Sequence, residues 1–513
     1  MSGAWSSDFG GHADEGAHVV TSVMVRDYLG GGFLEELHPI RYAEAYYEQF
    51  PKVAIGHYPP VFYLIASLFL LPFRSPEALL VLMAATSSAS GAMLASLAGR
   101  ILEGKIAPWA IGMGWCLHPL VRTYTSIVMS DLLLVFFCLA ALAAFAKFQE
   151  HRALRASLAF GLFSALAILT KGYGIVLALV PVFSILLTRD WQLLKNPRLW
   201  ISAMVVIVLA FPWMWFTRGI TAEGMSSGGV LAQLASSVPY YLKLLPRELG
   251  WVFSLVFVVA LLYFLFDRIG SPEGKSREKG GRFELIAAVG FVASCLLCLL
   301  MVPAGLDHRY LLPLFSVSLL LAAWGLQRLV QRILPRFVNG AVLLLVLVLL
   351  FETYRPVEKQ YTGARESIAS ILAANTSKEM TNLLVVSNAG GEGALISSAV
   401  FQGVDTVKVL RGSQTLAKSD WLGRGYTLSF DDSSGLRSLL SKETVDFVVF
   451  DKPAPDSLTP RHWKEFPTYF LQDSMRESVK RIAEYDSLRK NDRNAKFYIY
   501  RFNWRVSEGE TAR

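Results

Sequence analysis

Apolar residues run along this chain in blocks close to bilayer-crossing length, not in the short periodic stripes of a soluble protein. The first convincing block lies at about 77–99 and ends at Arg100. Others follow at about 107–122, 127–146, 155–170, 173–188, 199–217, 250–267, 284–303, 309–327 and 338–354. These blocks predict an all-α polytopic membrane protein of about 10 transmembrane helices. Ahead of them, "PPVFYLIASLFLLPF" at 59–73 has only about half the length of a perpendicular span, with proline at both ends. It predicts a short helix lying at the interface or dipping into it. Residues 1–57 hold no apolar run of the needed length, so no secretory signal is expected there.

After Tyr354 the pattern changes. "NLLVVSNAGG" reads as a strand and a turn, "EGALISSAVFQGV" as a helix, and "TVKVLRG", "VDFVVFD" and "KFYIYRF" as further strands. Strands alternating with helices predict a small C-terminal α/β domain. The expected organisation is an acidic opening loop over 1–58, a transmembrane core over 59–355 and the α/β domain over 356–513.

The connecting loops suggest an orientation. Loops near 100–106, 147–155, 189–198, 268–283 and 328–337 hold roughly sixteen Lys and Arg, against about seven in the short loops of the other side. The basic side is expected in the cytoplasm, which puts the opening segment and the C-terminal domain outside. An acidic segment of this length would then cross with no apolar lead, and an upstream span missing from this chain is the simplest expectation. "GSPEGKSREKGG" reads as a solvated cytoplasmic linker.

Composition fits this picture: 53% of residues are hydrophobic and 18% charged, and the net charge of +8 takes its meaning only from which loops hold the basic residues. It gives no reason to expect a nucleic-acid partner. The four cysteines, Cys116, Cys138, Cys295 and Cys298, all fall in apolar blocks, where Cys295-x-x-Cys298 reads as two small residues on one helix face. Gly390, Gly391 and Gly393 follow a strand but lack the G-x-G-x-x-G spacing, so they read as a tight turn into a helix.

Polar groups near membrane depth call for a reason. Several sit at outer ends of spans: Asp131 in "TSIVMSDLLLVFF", Lys171 in "LAILTKGYGIVLAL", and His308, Arg309 and Tyr310 in "AGLDHRYLLPLF". His57 and Tyr58 precede a Pro-Pro pair, and the opening "SDFGGHADEGAHVV" carries Asp14 and Glu15 between His12 and His18. On the expected topology all share one face of the membrane. Bland alternatives exist: a snorkelling Lys171, an interfacial anchor at Arg309, a helix cap at Asp131 and surface histidines at His12 and His18. Asp8, His12, Asp14 and His18 could hold a divalent metal, but no spacing enforces it, and no cofactor is expected. Carboxylates beside interfacial cations suit a lipid-linked sugar donor. The cations would stabilise a phosphate leaving group while a carboxylate takes the proton of an attacking hydroxyl.

"ADEGAHVVTSVMVRDYLGGGF", "GHYPPVFYLIASLFLLPF", "SIVMSDLLLVFF", "LAILTKGYGIVLALVP" and "DHRYLLPLFSVSLLLAA" resemble, in order and spacing over residues 10 to about 330, the GT-C membrane glycosyltransferases. The likeness is to the branch of protein O-mannosyltransferases and lipid A aminoarabinose transferases. It implies that Asp14, with Glu15 beside it, is the catalytic base and that Lys171, Arg309 and His308 contact the donor phosphate. His57, Tyr58, Asp131 and Tyr310 would line the substrate pocket. It also implies a span ahead of the Asp-Glu loop. The aminoarabinose transferases carry a Lys before their Pro where this chain has "HYPP", so His57 stands in that place. The expected function is inverting transfer of a sugar from a polyprenyl-phosphate donor to a lipid, protein or polysaccharide acceptor, at the outer face of a bacterial cytoplasmic membrane. A flippase or transporter of sugar lipids would need polar residues near the midplane, and a non-catalytic scaffold would need none of these groups.

Overall fold

The computed structural model describes the chain except residues 1, 225–228, 271–280, 304, 360, 376–379, 404–405, 420–424, 453–458, 473–474, 476–477, 488–494 and 504–513, and the side chains of 267–270. The linker predicted at 270–281 therefore falls almost entirely outside the described residues. Each of the ten predicted spans lies on helix. Among the described residues, six helices are long and apolar enough to cross a membrane: Pro76–Ile101, Asp131–His151, Pro197–Phe216, Arg282–Met301, His308–Ile333 and Pro335–Glu352. A bent pair, Val230–Leu249 with Trp251–Phe266, adds a seventh when taken as one span.

The remaining predicted spans are shorter or broken, for local reasons. The block at 107–122 divides at His118 into Ile106–Leu117 and Pro119–Thr125, because the residue before a proline is pushed out of helical geometry. The block at 173–188 starts as a 3-10 helix, Gly172–Leu179, and becomes α-helical at Val180. The helix Val230–Leu249 was not anticipated; its internal Pro239 and Pro246 mask the apolar period. It meets the next helix at 112° around Gly250, whose φ of 80° only glycine takes without strain. A Cβ there would lie 2.4 Å from the Glu352 carboxylate, which accepts the Val252 N–H at 3.1 Å and so caps the restarted helix. The proline-bracketed segment is the short helix Val61–Leu70.

The opening 58 residues, expected as a loop, are largely helical. We label the first eight helices α1 (Glu15–Leu29), α2 (Pro39–Gln49), α3 (Val61–Leu70), α4 (Pro76–Ile101), α5 (Ile106–Leu117), α6 (Pro119–Thr125), α7 (Asp131–His151) and α8 (Leu154–Thr170). The first ten residues of α1 are all buried. Acids, histidines and glycines mixed among the valines there hide the helical period in the sequence.

The C-terminal region forms the expected α/β sheet. Its strands are β1 (Thr381–Val386), β2 (Val407–Arg411), β5 (Phe447–Asp451), β6 (Val479–Asp486) and β7 (Lys496–Phe502). A separate short hairpin-like pair is formed by β3 (Ala417–Lys418) and β4 (Thr427–Leu428). The main order is β2-β1-β5-β7-β6. The first three run parallel, with Leu384 opposite Leu410 and Val448, and β7 and β6 are antiparallel additions. β1 and β5 are almost wholly buried apolar runs, as expected for strands covered on both faces.

This domain packs directly on the opening helices. Lys52 Nζ donates to the Ala389 carbonyl at 3.0 Å, Arg74 Nη2 to the Val400 carbonyl at 3.0 Å, and the Ala364 N–H to Asp8 Oδ2 at 2.9 Å. At the centre, α1 crosses the helix Ala389–Gln402 so closely that a Cβ on Gly16 would sit 2.5 Å from Gly393 Cα. A side chain there meets backbone, which cannot rotate aside. We therefore expect Gly16→Ala to destabilise the protein by about 1–3 kcal/mol, as overpacking does. Gly340→Ala, in open helical surroundings, should leave stability unchanged or raise it. Thermal unfolding in detergent checks this; equal midpoints for both variants would contradict the packing.

Candidate active site

Asp14 occupies the N-cap position of α1 yet makes no side-chain cap. Its carboxylate instead turns outward. Oδ2 accepts from Arg309 Nη1 at 3.0 Å and from the Tyr58 hydroxyl at 2.8 Å. His12 completes the loop, its Nδ1 accepting the Asp14 N–H at 3.0 Å and its Nε2 lying 3.5 Å from Asp307 Oδ2. Burial opposes ionisation of Asp14, but Arg309, then His12 and His18, and the Tyr58 hydrogen bond outweigh it and hold the carboxyl well below the usual carboxylate value.

Arg309 is presented by a 3-10 turn, His308–Tyr310, at the head of a long span. Asp307 builds that turn: Oδ1 accepts the Arg309 N–H at 3.1 Å, while Oδ2 lies 3.2 Å from Arg309 Nε. His308 leans on Asp307 Oδ1 at 3.1 Å through Nδ1 and meets the Tyr124 hydroxyl at 3.1 Å through Nε2. Arg309 thus sits between two carboxylates, the distant Asp14 and its own near neighbour Asp307.

Behind this partly open mouth lies a second, closed pair. Lys171 ends α8 in extended geometry, and Asp131 opens α7. Lys171 Nζ donates to Asp131 Oδ1 at 2.6 Å, with both side chains buried. The two cations surround one aromatic ring: Tyr310 has Lys171 Nζ 4.9 Å and the Arg309 guanidinium 5.5 Å from its centroid. Asp131 Oδ2 is buried without a hydrogen-bond partner, so the pair holds an unused acceptor.

Of the residues singled out in the sequence, Asp14, Tyr58, Asp131, Lys171, His308, Arg309 and Tyr310 come together in this cluster. His57 stands at its edge, half-buried; burial lowers its pKa, with Glu223 and then Asp14 acting in opposition. Glu15 does not face the cluster. Its Oε1 accepts from Lys359 Nζ at 2.8 Å and from the Val128 N–H at 3.0 Å, and Oε2 accepts the Gly11 N–H at 2.8 Å. The α-helical turn separates neighbouring side chains by about 100°, so the Asp-Glu pair cannot act from one side. Glu15 is held by Lys359 and two backbone N–H groups, on a different side from Arg309.

The possible metal set is not assembled. Asp8 is taken up by Ala364, and His18 Nδ1 pairs with the Tyr63 hydroxyl at 3.1 Å. Among the described residues no group of three His, Cys, Asp or Glu side chains is arranged to hold a metal ion. At the glycine-rich turn, Asn388 caps the helix by accepting the Gly391 N–H at 2.8 Å, as the turn reading expected. Sequence reasoning missed Asp307, Tyr124 and Lys359. Asp307 adjoins the His-Arg-Tyr motif and was within reach; the other two carry no local signal.

Residues 19–222 match the family model described as dolichyl-phosphate-mannose-protein mannosyltransferase. That stretch contains Tyr58, Asp131 and Lys171 but neither Asp14 nor Arg309. No curated protein matches the chain by sequence. Among solved structures, the archaeal oligosaccharyltransferase AglB from Archaeoglobus fulgidus, in complex with an inhibitory peptide and a dolichol-phosphate, is 12% identical with a TM-score of 0.52. The match covers 87% of this chain and 67% of that one. The same organism's oligosaccharyltransferase in complex with Zn and sulfate is 13% identical, TM-score 0.50, over 77% of this chain and 59% of that one. In a third structure of it, tethered to an acceptor peptide, this chain likewise spans only 61% of its length. ArnT from Cupriavidus metallidurans bound to undecaprenyl phosphate is 17% identical, TM-score 0.45, over 95% and 93%. The fold is that of the GT-C membrane glycosyltransferases, and the family match bears out the resemblance to the protein O-mannosyltransferase branch.

Glu15 and Lys359 are both almost fully buried, with side-chain exposures of 0% and 1%. Removing one charge strands the other, so Glu15→Gln should destabilise the protein by about 3–5 kcal/mol. The double variant Glu15→Gln/Lys359→Met should recover part of that loss. Thermal unfolding of both single variants and the double variant checks this; strictly additive losses would contradict a direct pair.

Proposed function

We propose that the protein is an inverting glycosyltransferase that moves a sugar from a polyprenyl-phosphate donor to an acceptor hydroxyl. The observation that carries this reading is the pairing of a partly open carboxylate, Asp14, with a cation, Arg309, beside a second cation, Lys171, around one tyrosine. The acceptor oxygen attacks the anomeric carbon from the side opposite the phosphate. As the new C–O bond forms, the bond from carbon to the phosphate oxygen breaks, and Asp14 takes the hydroxyl proton. The leaving polyprenyl phosphate gains charge, which Arg309 and Lys171 neutralise.

In the resting site Arg309 is bound to the base itself. A donor phosphate competes for that guanidinium, and as it does so the charge holding Asp14 ionised is drawn away. Burial then acts on the carboxylate with less opposition, so its proton affinity rises when the donor is in place. A base silent without donor limits wasteful proton uptake at an empty site.

The family match and the dolichol-phosphate bound by the structurally similar oligosaccharyltransferase support a lipid-linked donor. Gathering of charge at one end of the helices favours interfacial chemistry over transport through the midplane. The excess of basic residues in the loops of the opposite face supports an extracytoplasmic site in a bacterial cytoplasmic membrane, with the α/β domain on the same side. The acceptor class stays a lipid, a protein or a polysaccharide.

Asp14→Asn should lower transfer by about a hundredfold to ten-thousandfold, the usual contribution of a positioned base, with folding near wild type and donor binding at least as tight, because Arg309 is released from its carboxylate. Turnover of the purified, lipid-reconstituted variant at wild-type rate would remove Asp14 from this role. The pH profile supplies a second check. With its pKa held below the usual value of about 3.9, unliganded Asp14 stays ionised through assay pH and gives kcat/KM no acidic limb above about pH 5. Arg309→Gln removes the largest influence that holds the Asp14 carboxyl down, so any acidic limb in the residual activity should move to higher pH, with a raised KM for the donor. An unshifted profile with unchanged donor KM would contradict the pairing.

A further inference from the structure

At the membrane face opposite Asp14 the helices leave a cavity of about 650 Å³ between α4, α7 and α8. Its walls are apolar and mostly small: Ala140, Ala143 and Ala144 on α7 and Ala156 and Ala159 on α8, with Phe136 and Phe163 at the inner end. Along α7 it runs from Phe136 to His151, which at 1.5 Å per residue is about 22 Å. That length reaches from near the bilayer midplane to the headgroups of a single leaflet, whose hydrocarbon is about 15 Å deep.

The outer rim is basic. Arg100 closes α4, Lys147 and His151 stand one turn apart at the end of α7, and Arg155 lies in the first turn of α8. Arg100 is paired with Glu284 at 2.6 Å, and His151 lies 3.3 Å from Glu150. Among the described residues, Lys147 and Arg155 have no carboxylate partner. Arg155 also sits where a cation is disfavoured, at a helix N-terminus, and Ala153 in the N-cap position offers that terminus no side-chain acceptor. An arriving anion relieves both features at once.

We propose that this groove is a binding site for an anionic phospholipid: one acyl chain lies along the alanine wall, and the phosphate is held by Lys147 and Arg155. Charge complementarity selects the headgroup, and depth selects a chain of one leaflet. The site is independent of the glycosyl-transfer reading, because its cations stand at the far end of α7 and α8 from Asp131 and Lys171.

The test uses the full-length protein in detergent, incubated with equimolar phosphatidylglycerol and phosphatidylcholine of identical chains and examined by native mass spectrometry. Wild type should retain phosphatidylglycerol with a preference of roughly tenfold or more, from two basic residues at the headgroup level. In Lys147→Gln/Arg155→Gln the preference should fall to near unity while the protein stays monodisperse. Ala144→Leu, which fills the groove and keeps the rim, should lower retention of both lipids. Equal retention of the two lipids by wild type, or an undiminished preference in the double variant, would overturn the proposal. So would displacement of the bound phosphatidylglycerol by equimolar undecaprenyl phosphate, which would give the groove to the donor's chain.

Discussion

Two carboxylates adjacent in the chain face different sides, and each is answered by a cation from a distant part of the sequence. Asp14 meets Arg309, 295 positions away, and Glu15 meets Lys359, 344 positions away. A buried charge is tolerated only when paired, so both partners must be in place before the other can be buried. This double tie fixes where α1 begins, which way Asp14 faces, and how the segment leaving the last span returns to the opening helices. The inner pair is closed, while the outer pair is partly open to solvent. One is suited to holding the loop; the other, in the proposed reaction, exchanges its partner for a donor phosphate.

The C-terminal domain belongs to the same constraint. Gly16 against Gly393, Lys52 on the Ala389 carbonyl and Asp8 on the Ala364 N–H all join the sheet domain to the elements that carry Asp14. Covering helices on both sides of a parallel β2-β1-β5 core leave one face of the Ala389–Gln402 helix for α1. The domain therefore works as a brace for the acid loop, whatever else it contacts.

The long apolar blocks and the C-terminal strands were legible because each signal is local: a run of apolar residues, or a β-rich run bounded by turn residues. The site was legible as far as its polar residues were out of place in apolar surroundings, as with Asp131, Lys171 and Arg309. What escaped depended on direction and distance. Glu15 looked like a second acid beside Asp14, and only helical geometry reveals that it faces Lys359 and the Val128 N–H. Asp307 adjoins the His-Arg-Tyr motif, but that its carboxylate caps the turn and bridges Arg309 and His308 depends on the local backbone direction. The helix Val230–Leu249 was hidden by its own prolines, and β6 by the charges of "VKRIAEYD" on a half-exposed strand.

The central claim is that Asp14 and Arg309 grip opposite ends of one donor-acceptor complex. A cryo-EM structure with a non-transferable polyprenyl-phosphonate sugar tests it most directly. The account predicts the phosphonate within hydrogen-bond distance of Arg309, the anomeric carbon turned toward Asp14, and the resting Asp14–Arg309 contact lengthened. A phosphonate bound away from Arg309, or an anomeric carbon out of reach of Asp14, would contradict it.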